Sequence, residues 1–274
     1  MLRASMGQTV RRFSANSASV VKCRRLEGKV AVVTASTDGI GFAIAKRLAQ
    51  EGAKVMVSSR KEENVKKAVD QLQSEGLDVC GTTCHVGKSE DRKNLFEKTK
   101  ATFGGLDILV SNAAVNPSVD MVLDCPEAAW DKIFDINLKS TYLLMKESLP
   151  LLKQSKSGSI IIITSIGAYK PFSLLGAYSV SKTALLGLCQ SASFHLALNG
   201  IRVNCIAPGI IKTKFSKALY ESETAAEVSL ALIPMNRFGE PEEISGIAAF
   251  LASDDAAYIT GETIVAAGGI QSRL

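Results

Sequence analysis

No apolar run in the 274 residues approaches the ~20 that a membrane-crossing helix requires, and the longest, 159–164, has only the length of a strand. A soluble protein without a membrane span is expected. The chain also lacks a basic stripe interleaved with aromatics, which sets nucleic acid aside as a partner. The six cysteines, Cys23, Cys80, Cys84, Cys125, Cys189 and Cys205, lie scattered in apolar or strand-like contexts rather than in a disulfide framework, which points to a reducing compartment. Cys80, Cys84 and His85 form the only local cluster, and without a second ligand pair it reads as burial at a strand end; no metal is expected. Internal repeats and low-complexity tracts are missing too. Proline is scarce, 7 against 21 glycines, as suits an α/β fold with tight turns, and 46% hydrophobic with 22% charged residues is an ordinary globular composition.

The net charge of +5 comes partly from the first 26 residues, which hold Arg3, Arg11, Arg12, Lys22, Arg24 and Arg25 and no acid. Such an Arg- and Ser-rich leader fits a transit peptide or a flexible extension. It shows no clear amphipathic stripe, so both readings stay open, and residues 1–25 are set outside the fold. The remaining 26–271 have the length of one α/β domain with a large core.

From Lys29 onward, short β-branched runs alternate with segments of helical period, the pattern of a parallel sheet. Seven strands are predicted at 29–34, 54–58, 79–83, 107–111, 159–165, 201–206 and 263–266. Most are apolar throughout, as parallel strands covered on both faces should be. Helices are predicted at 42–51, 62–75, 88–103, 130–154 and 178–198, with Gly52, Gly76 and Gly200 placed to end three of them. The stretch 212–241 is the least regular and is read as an inserted flap near a substrate. The fold class expected is α/β, a Rossmann-type doubly wound parallel sheet in one domain.

The first strand runs into Thr34-Ala35-Ser36-Thr37-Asp38-Gly39-Ile40-Gly41 and then a helix, where backbone can turn tightly and approach a pyrophosphate at a helix N-terminus. Alone this signal is weak, because glycines in a turn also serve structure. The second strand ends Ser58-Ser59-Arg60-Lys61, with bases where dinucleotide folds place an acid for ribose or a base for a 2′-phosphate; this favours NADP over NAD. Tyr178 and Lys182 are four residues apart at the start of a helix, so both side chains share a face, and a nearby ammonium is expected to lower the tyrosine pKa. Ser165 closes the apolar strand 160–163 at the edge where such sheets bind ligands, and it gains weight from the Tyr–Lys pair.

These residues, with Asn112-Ala113-Ala114 after the fourth strand, Asn137 in the next helix, and Pro208-Gly209 followed by Thr213, resemble the short-chain dehydrogenase/reductase family over residues 26–269. The resemblance implies that Tyr178 transfers the proton, Lys182 holds the nicotinamide ribose, Ser165 binds the carbonyl and Asn137 supports a water relay. It also implies a cofactor site formed by Ser36, Thr37, Gly39, Ile40, Gly41, Ser59, Arg60, Val86 near adenine, Asn112, Ala113, Pro208, and Ile211 and Thr213 at the carboxamide, with Tyr178 and Lys182. Three positions depart from the family pattern: Ala35 and Ala114 replace glycines, and His85 replaces an aspartate at the adenine, where it either donates to the base or caps the third strand.

Within the family, strings such as Thr-Ala-Ser-Thr-Asp-Gly-Ile-Gly and Ser-Asn-Ala-Ala-Val-Asn-Pro are similar to the dehydrogenase/reductase member four group of peroxisomal NADPH-dependent carbonyl and retinal reductases, usually homotetramers. That implies NADP(H) as cofactor and aromatic ketones, α-dicarbonyls or retinal as small-molecule carbonyl substrates. Alcohol, steroid or acyl-CoA-intermediate dehydrogenation, and a non-catalytic redox sensor, remain as alternatives. The apolar loop 171–175, with Phe172 and Leu174, and flap residues Phe215, Leu219 and Tyr220 suggest a hydrophobic substrate beside Ser165, or oligomer contacts. Helices 130–154 and 178–198 carry more apolar surface than one sheet face needs, so a homo-oligomer is expected. The final Ser272-Arg273-Leu274 is of the type that a peroxisomal import receptor reads, favouring the peroxisome over the mitochondrion.

Overall fold

The computed structural model describes residues 24–270, so the leader before Arg24 and the terminal tripeptide lie outside the described residues. Seven parallel strands form one sheet, β1 (Val30–Val33), β2 (Lys54–Ser59), β3 (Val79–Thr83), β4 (Ile108–Ser111), β5 (Gly158–Ile163), β6 (Ile201–Pro208) and β7 (Thr263–Ala266), in the order β3-β2-β1-β4-β5-β6-β7. The chain steps outward from β1 to β3, then returns through β4 on the other side of β1. That reversal opens a crevice at the carboxyl ends of β1 and β4, the position where doubly wound sheets take their ligands.

Successive strand residues point to opposite faces, and two apolar layers result. Ala31, Val33, Ile108, Val110, Ile161 and Ile163 pack with α1 (Gly39–Gln50), α2 (Glu62–Ser74) and α8 (Pro241–Ala252). Val32, Leu109, Ile160 and Ile162 pack with α3 (Ser89–Phe103), α5 (Ser140–Leu152) and α6 (Gly176–Leu196). Burial on both faces is why β1, β4 and β5 read as unbroken apolar runs. No helix among the described residues is long and apolar enough to cross a membrane.

Four boundaries differ from the sequence expectation in ways that matter to the site. The strand predicted to run through 165 ends at Ile163, because Ser165 turns to cap the 3-10 turn Ile166–Ala168, its hydroxyl accepting from the Gly167 N–H at 3.0 Å. The helix predicted over 130–154 is α4 (Glu127–Phe134), one π turn over Asp135–Lys139, then α5. The Ser140 hydroxyl bonds to the Ile136 carbonyl, and that of Thr141 to the Asn137 carbonyl at 2.9 Å, so side chains occupy carbonyls there. The flap contains α7 (Glu223–Leu230) and is pinned at its ends by a bridge between Ile211 and Gly239. Helix α8 was not expected at all; Pro241 at its first position and the reciprocal Glu240–Glu243 capping box were its available signals.

Candidate active site

The turn after β1 brings its backbone against the strand-end of β4. Asn112 Nδ2 donates to the carbonyls of Thr34 and Ala35, both at 3.1 Å, while the Thr34 hydroxyl accepts from the N–H groups of Asn112 and Ala113 at 3.0 and 3.2 Å. A Cβ on Gly41 would fall 2.4 Å from the Ala35 carbonyl oxygen and 2.5 Å from Asn112 Nδ2, so only glycine allows this closeness. Ala35 sits at φ 50, the left-handed conformation that a glycine would take freely, so its replacement of the usual glycine carries strain. Gly39, at φ 54, opens α1, and its N–H donates to the Asp38 carboxylate at 2.9 Å.

Thr37, Ile40, Ser59, Arg60, Asn112 and Ala113 lie on this same rim, at the ends of β1, β2 and β4. Arg60 and Lys61 are exposed and unpaired among the described residues. Other expected cofactor residues are less open. The Ser36 hydroxyl is buried, donating to the Val33 carbonyl at 2.6 Å and accepting from the Ser58 N–H at 3.0 Å, which leaves it a tie between β1 and β2. Val86 and Ile211 are buried in the apolar layers, and Pro208 ends β6. His85 makes local contacts: its Nδ1 accepts from the Gly87 N–H at 3.1 Å, and its own backbone N–H donates to Asp91, which leaves Nε2 outside both bonds. Neighbouring Cys84 is buried, and that burial pushes its thiol up to about 12, the reverse of what a thiolate ligand needs.

At the carboxyl ends of β4 and β5, four side chains converge. Tyr178 and Lys182, one turn apart on α6, are both buried, with the ammonium 5.6 Å from the Tyr178 ring centre. Lys182 Nζ donates to the Ile163 carbonyl at 2.8 Å, and the Thr164 hydroxyl donates to the Lys182 carbonyl at 2.8 Å, locking this turn of α6 to the end of β5. Ser165 stands beside the Tyr178 hydroxyl, close enough to favour its ionised form. Asn137, on the π turn, clamps Val115: its Oδ1 accepts from the Val115 N–H at 2.8 Å and its Nδ2 donates to the Val115 carbonyl at 3.1 Å. The same Nδ2 reaches Ser181 Oγ at 3.0 Å, and Ser181 donates to the Tyr178 carbonyl at 2.7 Å. Ser181 and Thr164 thus join the site without having been singled out in the sequence. A serine three residues after the tyrosine is too common a signal to stand out.

The expected lowering of the tyrosine pKa is corrected here. Burial pushes the Tyr178 phenol up to about 12, opposed only by the neighbouring Ser165 hydroxyl, and burial lowers Lys182 to about 8. The reason is geometric: the ammonium is aimed at a strand carbonyl rather than at the phenol oxygen. Tyr178 is therefore protonated at neutral pH.

The flap closes over this floor. Thr213 lies against the glycine turn, since a Cβ on Gly39 would meet Thr213 Cγ2 at 3.0 Å; Lys214 pairs with Asp38 at 2.6 Å; and the Phe215 ring centre is 5.7 Å from that of Tyr178. Tyr220 steadies the turn, its hydroxyl donating to the Thr213 carbonyl at 2.8 Å. Of the two expected substrate-loop residues, Leu174 is exposed, whereas Phe172 is only partly open and packs towards the cluster of Ile166, Ile210 and Phe238.

A doubly wound sheet with a close-approach glycine turn at its switch point, and a tyrosine, a lysine and a serine beside it, defines an oxidoreductase that uses a nicotinamide dinucleotide. A family profile described as enoyl-(acyl carrier protein) reductase matches residues 34–271. The chain is 55% identical over 258 residues to dehydrogenase/reductase SDR family member 4 of Oryctolagus cuniculus, covering 94% of this chain and 99% of that one. It is 53% identical to the Homo sapiens protein of that name, covering 91% and 90%, and 50% identical to human dehydrogenase/reductase SDR family member 2, mitochondrial, covering 89% and 86%. Among solved structures, gox2181 superposes with a TM-score of 0.87 at 30% identity, covering 91% of this chain and 98% of that one. The protein belongs to the short-chain dehydrogenase/reductase family.

Proposed function

We propose that this enzyme reduces carbonyl compounds, such as aromatic ketones, α-dicarbonyls or retinal, to alcohols with NADPH. The observation that carries the reading is the convergence of Tyr178, Lys182 and Ser165 at the switch-point edge, with the Lys182 ammonium 5.6 Å from the Tyr178 ring centre. The cradle suits a dinucleotide: Gly41 leaves no room for a side chain between the turn and Asn112, and Arg60 with Lys61 offers cations and no acid at the end of β2. Bound there, the cofactor supplies the hydride.

The chain's own residues do the rest. Ser165 holds the carbonyl oxygen, and Tyr178, protonated far beyond neutral pH, delivers the proton to it. Lys182, charged below about 8, binds the ribose beside the phenol. Asn137, fixed by Val115 and Ser181, holds the π turn next to the tyrosine and supports proton resupply through water. Thr213 and Ile211 serve the carboxamide end, and Phe215 excludes water from above Tyr178.

The working form is read as a homo-oligomer, with a tetramer favoured by the family resemblance. Its support is the exposed apolar side chains Tyr142, Val180 and Phe194 on the outer faces of α5 and α6, beside an open hollow of about 1030 Å³ lined by Leu138, Tyr142 and Leu188. The terminal Ser-Arg-Leu favours the peroxisome, with the basic leader as the mitochondrial alternative. The decisive experiment is initial-rate oxidation of NADPH and NADH against an aromatic ketone, an α-dicarbonyl, retinal and a keto-steroid. NADPH-preferring turnover of one class is expected; tight NADPH binding without turnover of any would discard the reductase.

A further inference from the structure

The segment between β4 and α4 touches the glycine turn, the Asn137 turn and the catalytic helix in succession. It leaves the glycine turn at Asn112, is clamped at Val115 by Asn137, and then crosses to the catalytic helix, where the Gly176 N–H points to the Asp120 carbonyl at 3.4 Å. At that crossing the two backbones touch. A Cβ on Gly176 would lie 2.5 Å from Val122 Cα and 2.6 Å from both Val122 N and Val122 Cβ. The obstruction is main chain, so it cannot be relieved by a side-chain rotation; the loop itself would have to lift. Gly176 is ordinary helix backbone, with φ −57, so its need for glycine is one of space and not of conformation.

Four of the five side chains at 119–123 are apolar and stand in solvent: Val119, Met121, Val122 and Leu123, the last 94% exposed. Ser118, bonded to the Asp120 carboxylate, and the Asp124 N–H donating to the Met121 carbonyl at 3.1 Å hold these residues in a fixed turn. A rigid apolar ledge two residues along the helix from Tyr178 is costly in water and favourable against an apolar ligand.

Resting on the reductase reading, we propose that this ledge is the wall that selects a bulky apolar carbonyl compound over a small one, and that Gly176 is a specificity-determining, positioning residue because it seats the wall. Gly176 touches no reacting atom. It sets how far the ledge stands from the Tyr178–Ser165 pair, and so how well a long apolar substrate is gripped beyond its carbonyl group.

The test compares retinal with butane-2,3-dione in the full-length protein and in Gly176→Ala, with NADPH affinity followed by protein fluorescence. The expected result is a KM for retinal raised tenfold or more, a KM for the dione changed by less than threefold, and NADPH affinity unchanged. Equal losses on both substrates would show a merely structural glycine and overturn the proposal. Because Gly176→Ala has to displace backbone and could fail to fold, Met121→Ser/Leu123→Ser provides a surface variant that leaves the packing intact. It should raise the retinal KM alone, and an unchanged ratio of the two KM values overturns the ledge. Binding of retinol to the NADP+ form separates this proposal from the reading it rests on. Wild-type affinity in both variants removes the ledge, whereas weakened retinol binding with no turnover of any carbonyl in the native protein keeps the ledge and removes the reductase.

Discussion

Lys182, Asn137 and Ser181 are fully or almost fully buried and bonded to one another's neighbours or to strand carbonyls, whereas Thr213, Lys214 and Phe215 reach the same site from a loop whose ends are joined by a single bridge. The floor uses helix and strand backbone that packs on both sheet faces. The tip of the cover meets the floor through an exposed ion pair, one tilted ring contact and a van der Waals touch on Gly39, while the rest of it packs through Leu219, Tyr220, Leu230 and Phe238 onto Ile166 and Ile210. Exposed pairs contribute little, so the tip of the cover is held more weakly than the floor. On the proposed reading, proton transfer is set in buried geometry and cofactor exchange at the weakly held tip of the flap.

The strongest way to sharpen that contrast is to damage the floor alone. Tyr178→Phe should lower turnover by ~10²–10⁴ through loss of the proton donor while NADPH affinity is kept. Turnover and cofactor titration together check it, and native turnover in this variant would remove the mechanism. Next comes pH. Lys182, lowered to about 8 by burial, loses its charge above that value, so kcat/KM for reduction should fall as pH rises through about 8. Tyr178, at about 12, stays protonated throughout and does not cause the fall. The stability effect has the opposite sign. Between about 8 and the ordinary 10.5 the unfolded chain binds more protons at this lysine, so its contribution to stability rises with pH, and the dependence should vanish in Lys182→Met.

Gly41→Ala forces a methyl against the Ala35 carbonyl and should cost about 1–3 kcal/mol in thermal or denaturant unfolding, together with weaker cofactor binding. Ala35→Gly tests the same turn in the other direction. It relieves the left-handed strain but adds freedom to the unfolded chain, for a net gain under about 1 kcal/mol in the same unfolding measurement. The smallest effect belongs to the cover. Lys214→Ser should leave the melting temperature unchanged and speed NADPH release a few-fold at low salt, a difference that stopped-flow fluorescence should see shrink as salt is added.

Much of this was legible beforehand, for reasons that differ between the parts. Strands buried on both faces leave continuous apolar runs, so all seven were placed to within one or two residues. Tyr178 and Lys182 were legible because helical spacing alone puts them on one face. Helix α8 was overlooked because its sequence, Pro241 to Ala252, is apolar around much of its circumference and shows little periodicity. The π turn was hidden because it depends on where the Ser140 and Thr141 hydroxyls go, and a helical pattern reads the same with or without that extra residue.

The β–α alternation, the parallel sheet, the glycine turn and the family resemblance follow from local periodicity and from short strings of residues, and so are written in the order of the amino acids. The packed chain alone makes Ser36 a strut, lets His85 Nδ1 accept within its own turn, raises the Tyr178 pKa by burial and leaves no room at Gly176 beside Val122. Each of these depends on what lies across a gap between segments far apart in the chain. Desolvation, contact distance and hydrogen-bond partnership are properties of that gap and have no trace in the order of residues on either side of it.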